Sequence, residues 1–443
     1  MTLSRFVDSL KAHADFGQAF VFQHFIPARE AAYGTTPGFH TDIQKAMAGL
    51  KIHRLYTHQI EAIHHLRAGK NVLVSTETAS GKTLIYTLST LEKILQNHHA
   101  RALFLFPLKA LEHDQLKNLS FVVLDEVHTY RGIFGSHLSQ IIRRLRRLCR
   151  FYGADPQFVL LSATVANPET FGKALIQQEI EVVQSTGAPK SGQHVVFLNP
   201  EGSANFSSAK LFTECVHKGF RTIVFAQARK VTELIHLWVN QMTPAIRHKI
   251  SSYRAGFLPE ERRRIERRLA QGELLGVVST SALELGIDIG FLDICLLVGY
   301  PGTIINTWQR GGRVGRSGRE SMILLVAKPD ALDQYFIKHP HELFERSFEA
   351  AILDPNNPYV VKNHLVCAAA ELPLTRKDEE FWPQDMATLL DQLENEGTLS
   401  RTAEGDPMWF STRRNPQLSV NIRSAGETFT IFEREAGQRG SSS

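Results

Sequence analysis

Residues 72–83 read VLVSTETASGKT, and this stretch decides the predicted fold of the chain. The apolar, β-branched run at residues 72–74 predicts a buried parallel strand. A loop of small residues comes next, and Gly81, Lys82 and Thr83 open an apolar segment that predicts a helix. This order is typical of a phosphate-binding loop, in which N–H groups at a helix N-terminus meet an anionic phosphate. We expect Lys82 to reach the β- and γ-phosphates of a nucleotide and Thr83 to hold Mg²⁺.

The loop departs from the strict pattern G-x-x-x-x-G-K-[ST], because Thr76 stands where that pattern has its first glycine. The alternative interpretation is a surface strand–helix turn that happens to contain Gly-Lys-Thr. Motifs further along the chain distinguish the two.

Composition sets broad limits on the kind of protein. The chain has 443 residues, 43% of them hydrophobic and 21% charged, which favours two or three globular domains. A net charge of +5 is weak evidence for a polyanionic partner. The four cysteines form no C-x-x-C pair, so we expect no zinc site and a reducing compartment. With no signal-like N-terminus and no long apolar run, we predict a cytoplasmic protein without a membrane partner.

A pair of carboxylates comes after another predicted strand. Residues 101–107 and 121–124 predict buried strands, and Asp125 and Glu126 directly follow the second of them. Ligands of open α/β sheets bind at the carboxyl ends of strands. We therefore expect Asp125 to coordinate Mg²⁺ through water and Glu126 to orient and deprotonate the attacking water. The alternative, a polar strand end that caps a helix, is disfavoured because a phosphate-binding loop precedes it.

Two further features each leave two interpretations open. Gln59, on a predicted helix before the loop, could hydrogen-bond adenine or be a solvated helix residue. Residues 141–148, IIRRLRRL, predict a helix whose basic face is either solvated or contacts nucleic acid or a partner.

The second half of the chain repeats the alternation of strands and helices after a linker-like break at residues 184–194. Strands are predicted at residues 222–225, 275–280 and 294–298. Residues 307–319, TWQRGGRVGRSGR, bring several arginines close to one anion, and their glycines allow close backbone approach. An RNA-binding or flexible basic loop is the alternative. Near the end, predicted helices at 359–370 and 386–393 and a hairpin at 396–410 suggest a winged-helix-like module or a plain appendage.

In this order the motifs resemble those of a superfamily 2 helicase, which has two RecA-like domains with ATP in the cleft. The corresponding motifs are I (residues 76–83), Ia (Pro107 to Leu111), the DEVH box (Asp125 to His128), III (Ser162 to Thr164), IV (Val224 to Ala226), V (Leu283 to Asp288) and VI (Gln309 to Arg316). Residues 253–262, 282–290, 299–303 and 354–359 are similar to the MrfA/Hrq group of RecQ-like DNA repair helicases. The similarity runs over most of residues 20–430.

The resemblance implies an α/β fold with two tandem RecA-like P-loop domains of parallel sheets and a small, mostly helical, winged-helix-like C-terminal region. The implied divisions are an N-terminal extension of helices and loop (1–50), RecA-like domain 1 (51–188), RecA-like domain 2 (195–345) and a family-specific C-terminal region (346–443). It also implies ATP- and Mg²⁺-dependent 3′ to 5′ translocation on single-stranded DNA, with duplex unwinding, in DNA repair.

Site residues are implied in the same way. Those expected to be catalytic are Lys82, Glu126, Gln309, Arg313 and Arg316, the two arginines acting as fingers from the second domain. Those expected to bind ATP are Gln59, Thr78, Ala79, Ser80, Gly81, Lys82, Thr83 and Asp288, with Thr83 and Asp125 on Mg²⁺. Those expected to couple the domains are His128, Ser162 and Thr164, and those expected to contact nucleic acid are Pro107, Lys109 and Thr280.

The largest departure from the family is a missing internal segment. Only about fourteen positions separate Leu111 from Asp125, where a family member has many tens more, including a strand and motifs Ib and Ic. We place the junction of an internal deletion between Lys117 and Asn118. The remaining connection is close to the shortest that a parallel crossover allows, roughly a dozen residues. We therefore expect a first domain that keeps its nucleotide site but has lost a strand and much of its grip on DNA.

Smaller departures concern single residues. Glu77 replaces the family's proline, which puts a carboxylate beside the phosphate loop, and Leu108 replaces a phosphate-binding threonine. Arg310 and Gly311 replace Gln-Ala but fit the wider superfamily. No cysteine follows Cys367, so we expect the family's C-terminal cysteine module to be absent and the chain to stop inside the family's C-terminal region.

Two other functions stay open. One is an ATP- and DNA-binding remnant that unwinds nothing, which the missing segment and Glu77 favour. The other is a DExH RNA helicase, because single strands are held mainly through phosphates, which discriminate poorly between DNA and RNA.

Overall fold

The structure is a computed structural model that describes residues 1–105, 118–254, 256–284, 290–315, 318–383 and 386–424. Its contacts divide them into two units: residues 1–128, 156–170 and 179–351 form the first, and residues 129–155, 171–178 and those from 352 onward form the second.

The described strands are β1 (Phe20–Ile26), β2 (Val72–Ser75), β3 (Arg101–Leu105), β4 (Leu119–Leu124), β5 (Gln157–Ser162), β6 (Glu181–Val183), β7 (Gln193–Leu198), β8 (Thr222–Phe225), β9 (Ile250–Tyr253), β10 (Gly276–Ser279), β11 (Ile294–Val298), β12 (Ser321–Val326), β13 (Leu374–Thr375), β14 (Leu399–Arg401) and β15 (Met408–Ser411). The described helices are α1 (Leu3–Ala12), α2 (Thr41–Gly49), α3 (Thr57–Arg67), α4 (Lys82–Gln96), α5 (Gly132–Phe151), α6 (Pro168–Ile176), α7 (Ala204–His217), α8 (Arg229–Met242), α9 (Pro259–Ala270), α10 (Ile304–Gly311), α11 (Ala331–Lys338), α12 (Glu342–Glu345), α13 (Pro358–Glu371) and α14 (Met386–Asn395).

The first unit contains two sheets. In the first sheet the described strands lie in the order β3-β4-β5-β2-β6, and every pair is parallel. All residues of β2 are buried, as expected of a strand covered on both faces. The connection between β3 and β4 includes residues 106–117, which lie outside the described residues. The carboxyl ends of β2 and β4 carry the phosphate loop and the paired carboxylates.

The second sheet has the order β1-β7-β12-β11-β8-β10-β9. Its strands are parallel except β1, which pairs antiparallel with β7 at the sheet edge. The β11 residues are all buried, and α7 and α8 contribute to the core on one face.

The N-terminal residues differ from the expected extension of helices and loop. They include strand β1, whose burial alternates along its length as in an edge strand. Helix α1 buries Phe6 and Leu10 in the same hydrophobic core as β11 and β12. Helix α1 and strand β1 thus belong to the layer of the second sheet. Helix α2, which begins at Thr41, packs instead on the first sheet.

In the second unit, the basic helix α5 is neither a solvated face nor a free basic surface. Arg147 forms an ion pair with Asp378 at 2.6 Å and donates to the carbonyls of Leu372 and Pro373. Arg144 pairs with Glu371, and Arg146 donates to the backbone oxygens of Ile176 and Gln177 in the same unit. Both interpretations of residues 141–148 as a solvated or nucleic-acid-binding face are therefore wrong for these side chains, because they are used in intramolecular contacts.

The rest of the second unit is a small module of helices and a hairpin. The α13 and α14 helices pack around Trp382, which is 1% exposed and donates a hydrogen bond from its indole to Gln140. The β14–β15 hairpin pairs antiparallel, with β13 on its other edge. Helices followed by a hairpin agree with the predicted winged-helix-like module. Across the described residues of both units, every helix is too short or too polar to cross a bilayer.

Candidate nucleotide site

The phosphate loop joins β2 to α4 within the first unit. Ala79 and Gly81 have positive φ angles of 62° and 79°, so the loop turns sharply before the helix. The Thr76 hydroxyl lies 2.8 Å from that of Ser80 and closes the loop from within. Thr76, which stands in place of the first glycine of the strict pattern, therefore contributes a hydrogen bond within the loop. A helix N-terminus with its N–H groups facing outward is suited to an anion.

Lys82 is the first residue of α4, and its ammonium points back into the loop. Its Nζ donates to the carbonyl oxygens of Thr76 and Glu77 at 2.8 and 3.0 Å. Burial lowers the pKa of Lys82 to about 8, although Glu126 and Asp125 act in the opposite direction. The ammonium therefore occupies the loop with weak carbonyl partners that a phosphate group could replace.

The paired carboxylates, Asp125 and Glu126, lie at the carboxyl end of β4, as predicted from the strand at residues 121–124. Burial raises the pKa of both Asp125 and Glu126, while the charge of Lys82 lowers both. Glu126 has a positive φ of 52°, and its N–H donates to the Asp125 carboxylate at 2.8 Å. A non-glycine residue held in this conformation is a common feature of functional sites.

The residues that could hold Mg²⁺ are Thr83 and Asp125. Burial raises the pKa of Tyr86, an interaction with the Thr83 side chain lowers it, and the charge of Asp125 raises it. Both oxygen donors thus lie near one tyrosine. Mg²⁺ at nucleotide sites takes one or two protein oxygens and completes its shell with waters and phosphates. A hydroxyl and a carboxylate beside the phosphate loop therefore fit this ion.

The Gln59 side chain connects the start of α3 to the phosphate loop through two hydrogen bonds. Its Oε1 accepts from the N–H of Tyr56 at 2.9 Å, and its Nε2 donates to the carbonyl of Gly81 at 2.9 Å. A Cβ added to Gly81 would lie 2.7 Å from that Nε2. Gln59 is buried, so the interpretation as a solvated helix residue does not hold. Its role toward adenine stays a prediction.

The second sheet contributes α10, which contains Arg310, and Arg313 just after that helix. Arg313 is 3% exposed, donates to the carbonyl of Glu284, and is close enough to lower the pKa of Glu126. Arg310 forms a buried ion pair with Glu284 at 2.9 Å. A Cβ on Gly312 would lie 2.3 Å from the Thr78 hydroxyl, so only glycine allows this approach to the phosphate loop.

The two sheets are joined near the carboxylates by His128 and Gln309. The His128 Nε2 lies 2.7 Å from the Gln309 side-chain amide, and its Nδ1 accepts from the N–H of Ala163 at 3.3 Å. Ser162 is fully buried in β5, and its hydroxyl has no partner among the residues that the structure describes. Thr164 is half-buried and, like Gln309, lines a cavity between the phosphate loop and α10.

The remaining predicted site residues lie elsewhere or cannot be placed. Thr280 follows β10 at the carboxyl edge of the second sheet. Four other predicted residues lie outside the described residues, namely Pro107, Lys109, Asp288 and Arg316.

A cavity of about 860 Å³ lies between the phosphate loop and α10. Sequence reasoning missed Arg29 and Lys190, which line it, and also Glu349, whose carboxylate accepts from the N–H groups of Ile304 and Ile305 at the start of α10. No local pattern marks these three residues. They are brought to the site only by the folding of distant segments.

Family models match three parts of the chain. The DEAD/DEAH box helicase family matches residues 56–120 and 111–171, and the helicase conserved C-terminal domain matches residues 207–318. The winged helix domain of the ATP-dependent helicase HRQ1 matches residues 353–425.

Solved structures and curated proteins agree with these matches. A crystal structure titled as the DUF1998 helicase MrfA bound to DNA and AMPPNP is 36% identical, with a TM-score of 0.88, over 96% of this chain and 69% of that one. The chain belongs to the MrfA/Hrq group of superfamily 2 helicases. The uncharacterized ATP-dependent helicase YprA of Bacillus subtilis is 36% identical over 97% of this chain. The ATP-dependent helicase HRQ1 of Saccharomyces cerevisiae is 31% identical over 86% of it. The chain spans 66% of the length of YprA and 43% of that of HRQ1.

Membership of the MrfA/Hrq group confirms the predicted fold class. The two sheets of the first unit are the two RecA-like domains, and the second unit contains the winged-helix domain. The alternatives of a chance Gly-Lys-Thr turn and of a plain C-terminal appendage are thereby excluded.

The comparisons also bear on the missing internal segment. The alignment with YprA is 503 positions long and this chain has 443 residues, so at least 60 positions have no residue here. The DEAD/DEAH box model matches in two pieces that meet at residues 111–120. The two pieces overlap within the stretch between Leu111 and Asp125, and the junction between Lys117 and Asn118 stays a prediction.

Proposed function

We propose that this chain is an ATP-hydrolysing DNA helicase or translocase that moves 3′ to 5′ on single-stranded DNA, opens duplex DNA and acts in DNA repair. One observation supports this most directly: Arg313 of the second RecA-like domain acts electrostatically on Glu126 of the first. A site assembled from two domains links hydrolysis to their relative movement, which is how such a cleft drives a motor.

The geometry supports the roles proposed for the residues at the cleft. Glu126 would accept a proton from the attacking water, since it lies beside Asp125 and within 3.6 Å of His128. Lys82 and Arg313 would stabilise the charge that develops on the phosphate group. Mg²⁺, held by Thr83 and Asp125, would act as a Lewis acid on the phosphate oxygens when bound.

Nucleic acid would cross the carboxyl edge of the second sheet. Thr280 lies there after β10, and Arg229 and Arg254 lie near Gly256 after β8 and β9. Phosphate contacts of this kind supply affinity without reading sequence. The predicted contacts Pro107 and Lys109 would add to this grip from the first domain.

A second function is favoured by the missing segment. A first domain without motifs Ib and Ic would hold DNA weakly, so that the chain would bind ATP and nucleic acid without unwinding. The alignment gap of at least 60 positions relative to YprA, calculated from 503 positions and 443 residues, supports this alternative.

The test is steady-state ATP hydrolysis with and without single-stranded DNA, for the unaltered chain, Glu126→Gln and the exposed control Glu201→Gln. We expect DNA to stimulate turnover, Glu126→Gln to reduce it by at least about 10²-fold, and the control to change nothing. Turnover that ignores DNA would favour the binding remnant. Unwinding of a duplex with a 3′ tail but not a 5′ tail would establish the direction, and equal stimulation by RNA would count against DNA specificity.

A further inference from the structure

Three charged side chains meet beside the phosphate loop. The Lys190 Nζ lies 3.2 Å from Oε2 of Glu77, and the Arg29 Nη1 lies 3.7 Å from Oε1 of the same carboxylate. Glu77, the residue that stands where the family has proline, is therefore not an isolated charge. Its repulsion toward a phosphate group is balanced by two cations from a distant part of the chain.

The two cations are held in place by the backbone. Arg29 and Lys190 exchange two backbone hydrogen bonds, of 2.8 and 2.9 Å, in an isolated antiparallel bridge. The Arg29 guanidinium also donates from Nε and Nη2 to the carbonyl of Ala188, at 3.3 Å each. Lys190 has no such anchor to a carbonyl among the described residues, and its ammonium lies 5.8 Å from the centre of the Trp308 ring. Lys190 is thus the cation that can change partner.

Both cations face the cavity that the phosphate loop lines. Arg29, Glu77 and Lys190 line the same 860 Å³ cavity as Thr78 and Gln309. This volume lies within the range of roughly 300–1,000 Å³ typical of small-molecule sites. Residues 77–80 of the loop line this cavity, so a nucleotide bound to the loop would lie beside the Lys190 side chain.

The ion pair between Lys190 and Glu77 is weak enough for the Lys190 ammonium to change its partner. The Lys190 and Glu77 side chains are 30% and 41% exposed. Partly exposed ion pairs are weak, and a polyphosphate offers several negative charges where Glu77 offers one. The more highly charged anion should therefore take the ammonium from the carboxylate.

We propose that Lys190 is a further nucleotide-phosphate-binding residue, held by Glu77 in the absence of nucleotide and transferred to the polyphosphate when ATP binds. Arg29 stays on Glu77 and keeps that carboxylate neutralised after the transfer. This inference rests on the proposed function, because it requires ATP to bind at Lys82.

A simpler role for Lys190 would be to neutralise Glu77 and nothing else. The two roles differ once Glu77 is removed. If Lys190 only neutralises Glu77, then Lys190→Gln has no effect on ATP affinity in a Glu77→Gln background. If Lys190 binds phosphate, the substitution weakens ATP binding in both backgrounds.

The experiment is a double-mutant cycle on the full chain, with dissociation constants for ATP, ADP and adenosine measured by calorimetry. We expect Lys190→Gln to weaken ATP binding by up to about fivefold, the upper range for one partly exposed charge contact. Glu77→Gln should strengthen ATP binding, and Lys190→Gln should still weaken it when Glu77 is glutamine. Adenosine affinity should not change. Lys210→Gln is the matched control, because Lys210 forms a similar exposed ion pair with Asp15 at 3.0 Å, away from the cavity.

The outcomes are distinct. An ATP affinity unaffected by Lys190→Gln in the Glu77→Gln background would overturn the inference and leave the proposed function intact. An equal loss for adenosine would also overturn it, since the contact would then not be to phosphate. If the unaltered chain binds no ATP, the proposed function fails and this inference fails with it.

Discussion

His128 and Gln309 meet between the two RecA-like domains, with the imidazole Nε2 2.7 Å from the side-chain amide. His128 follows the carboxylates of β4, and Gln309 lies on α10. The Gln309 atom at this distance is the amide nitrogen Nε2, which donates, so the imidazole Nε2 is the acceptor. One buried hydrogen bond therefore connects the end of β4 in one domain to helix α10 of the other.

The first prediction concerns this connection. We expect Gln309→Ala to leave ATP affinity within about twofold but to reduce DNA-stimulated hydrolysis by about tenfold, a loss of roughly 1.4 kcal/mol in coupling. The readout is hydrolysis with and without single-stranded DNA, alongside ATP affinity. Gln271→Ala, an exposed substitution at the end of α9, is the control. Equal loss of binding and turnover would show instead that Gln309 contacts the nucleotide.

The second prediction concerns pH. The pKa of Lys82 is lowered to about 8 by burial, and a bound phosphate would favour the charged form. The charge-dependent affinity for ATP is therefore fully present below pH 8 and falls as the pH rises above it, by up to about tenfold per pH unit. Calorimetric titrations from pH 7 to 9 measure the slope. Lys82→Arg should flatten it, because a guanidinium stays protonated throughout. A flat profile for the unaltered chain would contradict this prediction.

The third prediction separates two arginines on α5. Arg147 is buried and paired with Asp378, whereas Arg150 and its partner Glu380 are mostly exposed. We expect Arg147→Ala to lower the free energy of unfolding of the second unit by about 3–5 kcal/mol, because Asp378 would be left buried without its cation. Arg150→Ala should cost no more than about 1 kcal/mol. Urea unfolding followed through tryptophan fluorescence compares the two, and equal effects would refute the distinction.

The fourth prediction tests the N-terminal segment. Phe6 of α1 is fully buried in the core of the second RecA-like domain, and Val21 of β1 is 45% exposed. We expect Phe6→Ala to destabilise that domain by about 3–5 kcal/mol and Val21→Ala by much less. Thermal unfolding of the two variants is the measurement. If Phe6→Ala is neutral, the segment is not part of the domain's core.

Much of the fold follows from local patterns. The strand, loop and helix around Lys82, strands β3, β4, β8, β10 and β11, and helices α13 and α14 were predictable, because continuous apolar runs and turn residues act over a few positions. Strands β6, β7 and β9 were not predicted, and β7 begins within the stretch interpreted as a linker. The winged-helix hairpin was predictable as one of two possibilities. Strand β1 was not, since an edge strand with alternating burial resembles an amphipathic extension when its partner is unknown.

The placement of the site residues was predictable where one motif contains them. Lys82, Asp125 and Glu126 lie at the carboxyl ends of β2 and β4, as expected for ligands of a parallel sheet. The basic face of α5 was misinterpreted. Arg144 and Arg147 bind residues more than 200 positions away, such as Asp378, 231 residues from Arg147. The charge pattern of a helix does not show which acidic residue far away in the sequence will pair with its arginines.

The sequence by itself determined the family, the order of the two domains and the residue types at the phosphate loop, because each is encoded in contiguous residues. Only the tertiary structure decided that His128 contacts Gln309, 181 residues away, and that Glu77 is neutralised by Arg29 and Lys190. The physical reason is that electrostatic and hydrogen-bond partners are set by distance in space. Folding brings those segments together at the cleft, and the sequence around each residue does not indicate which partner it will contact.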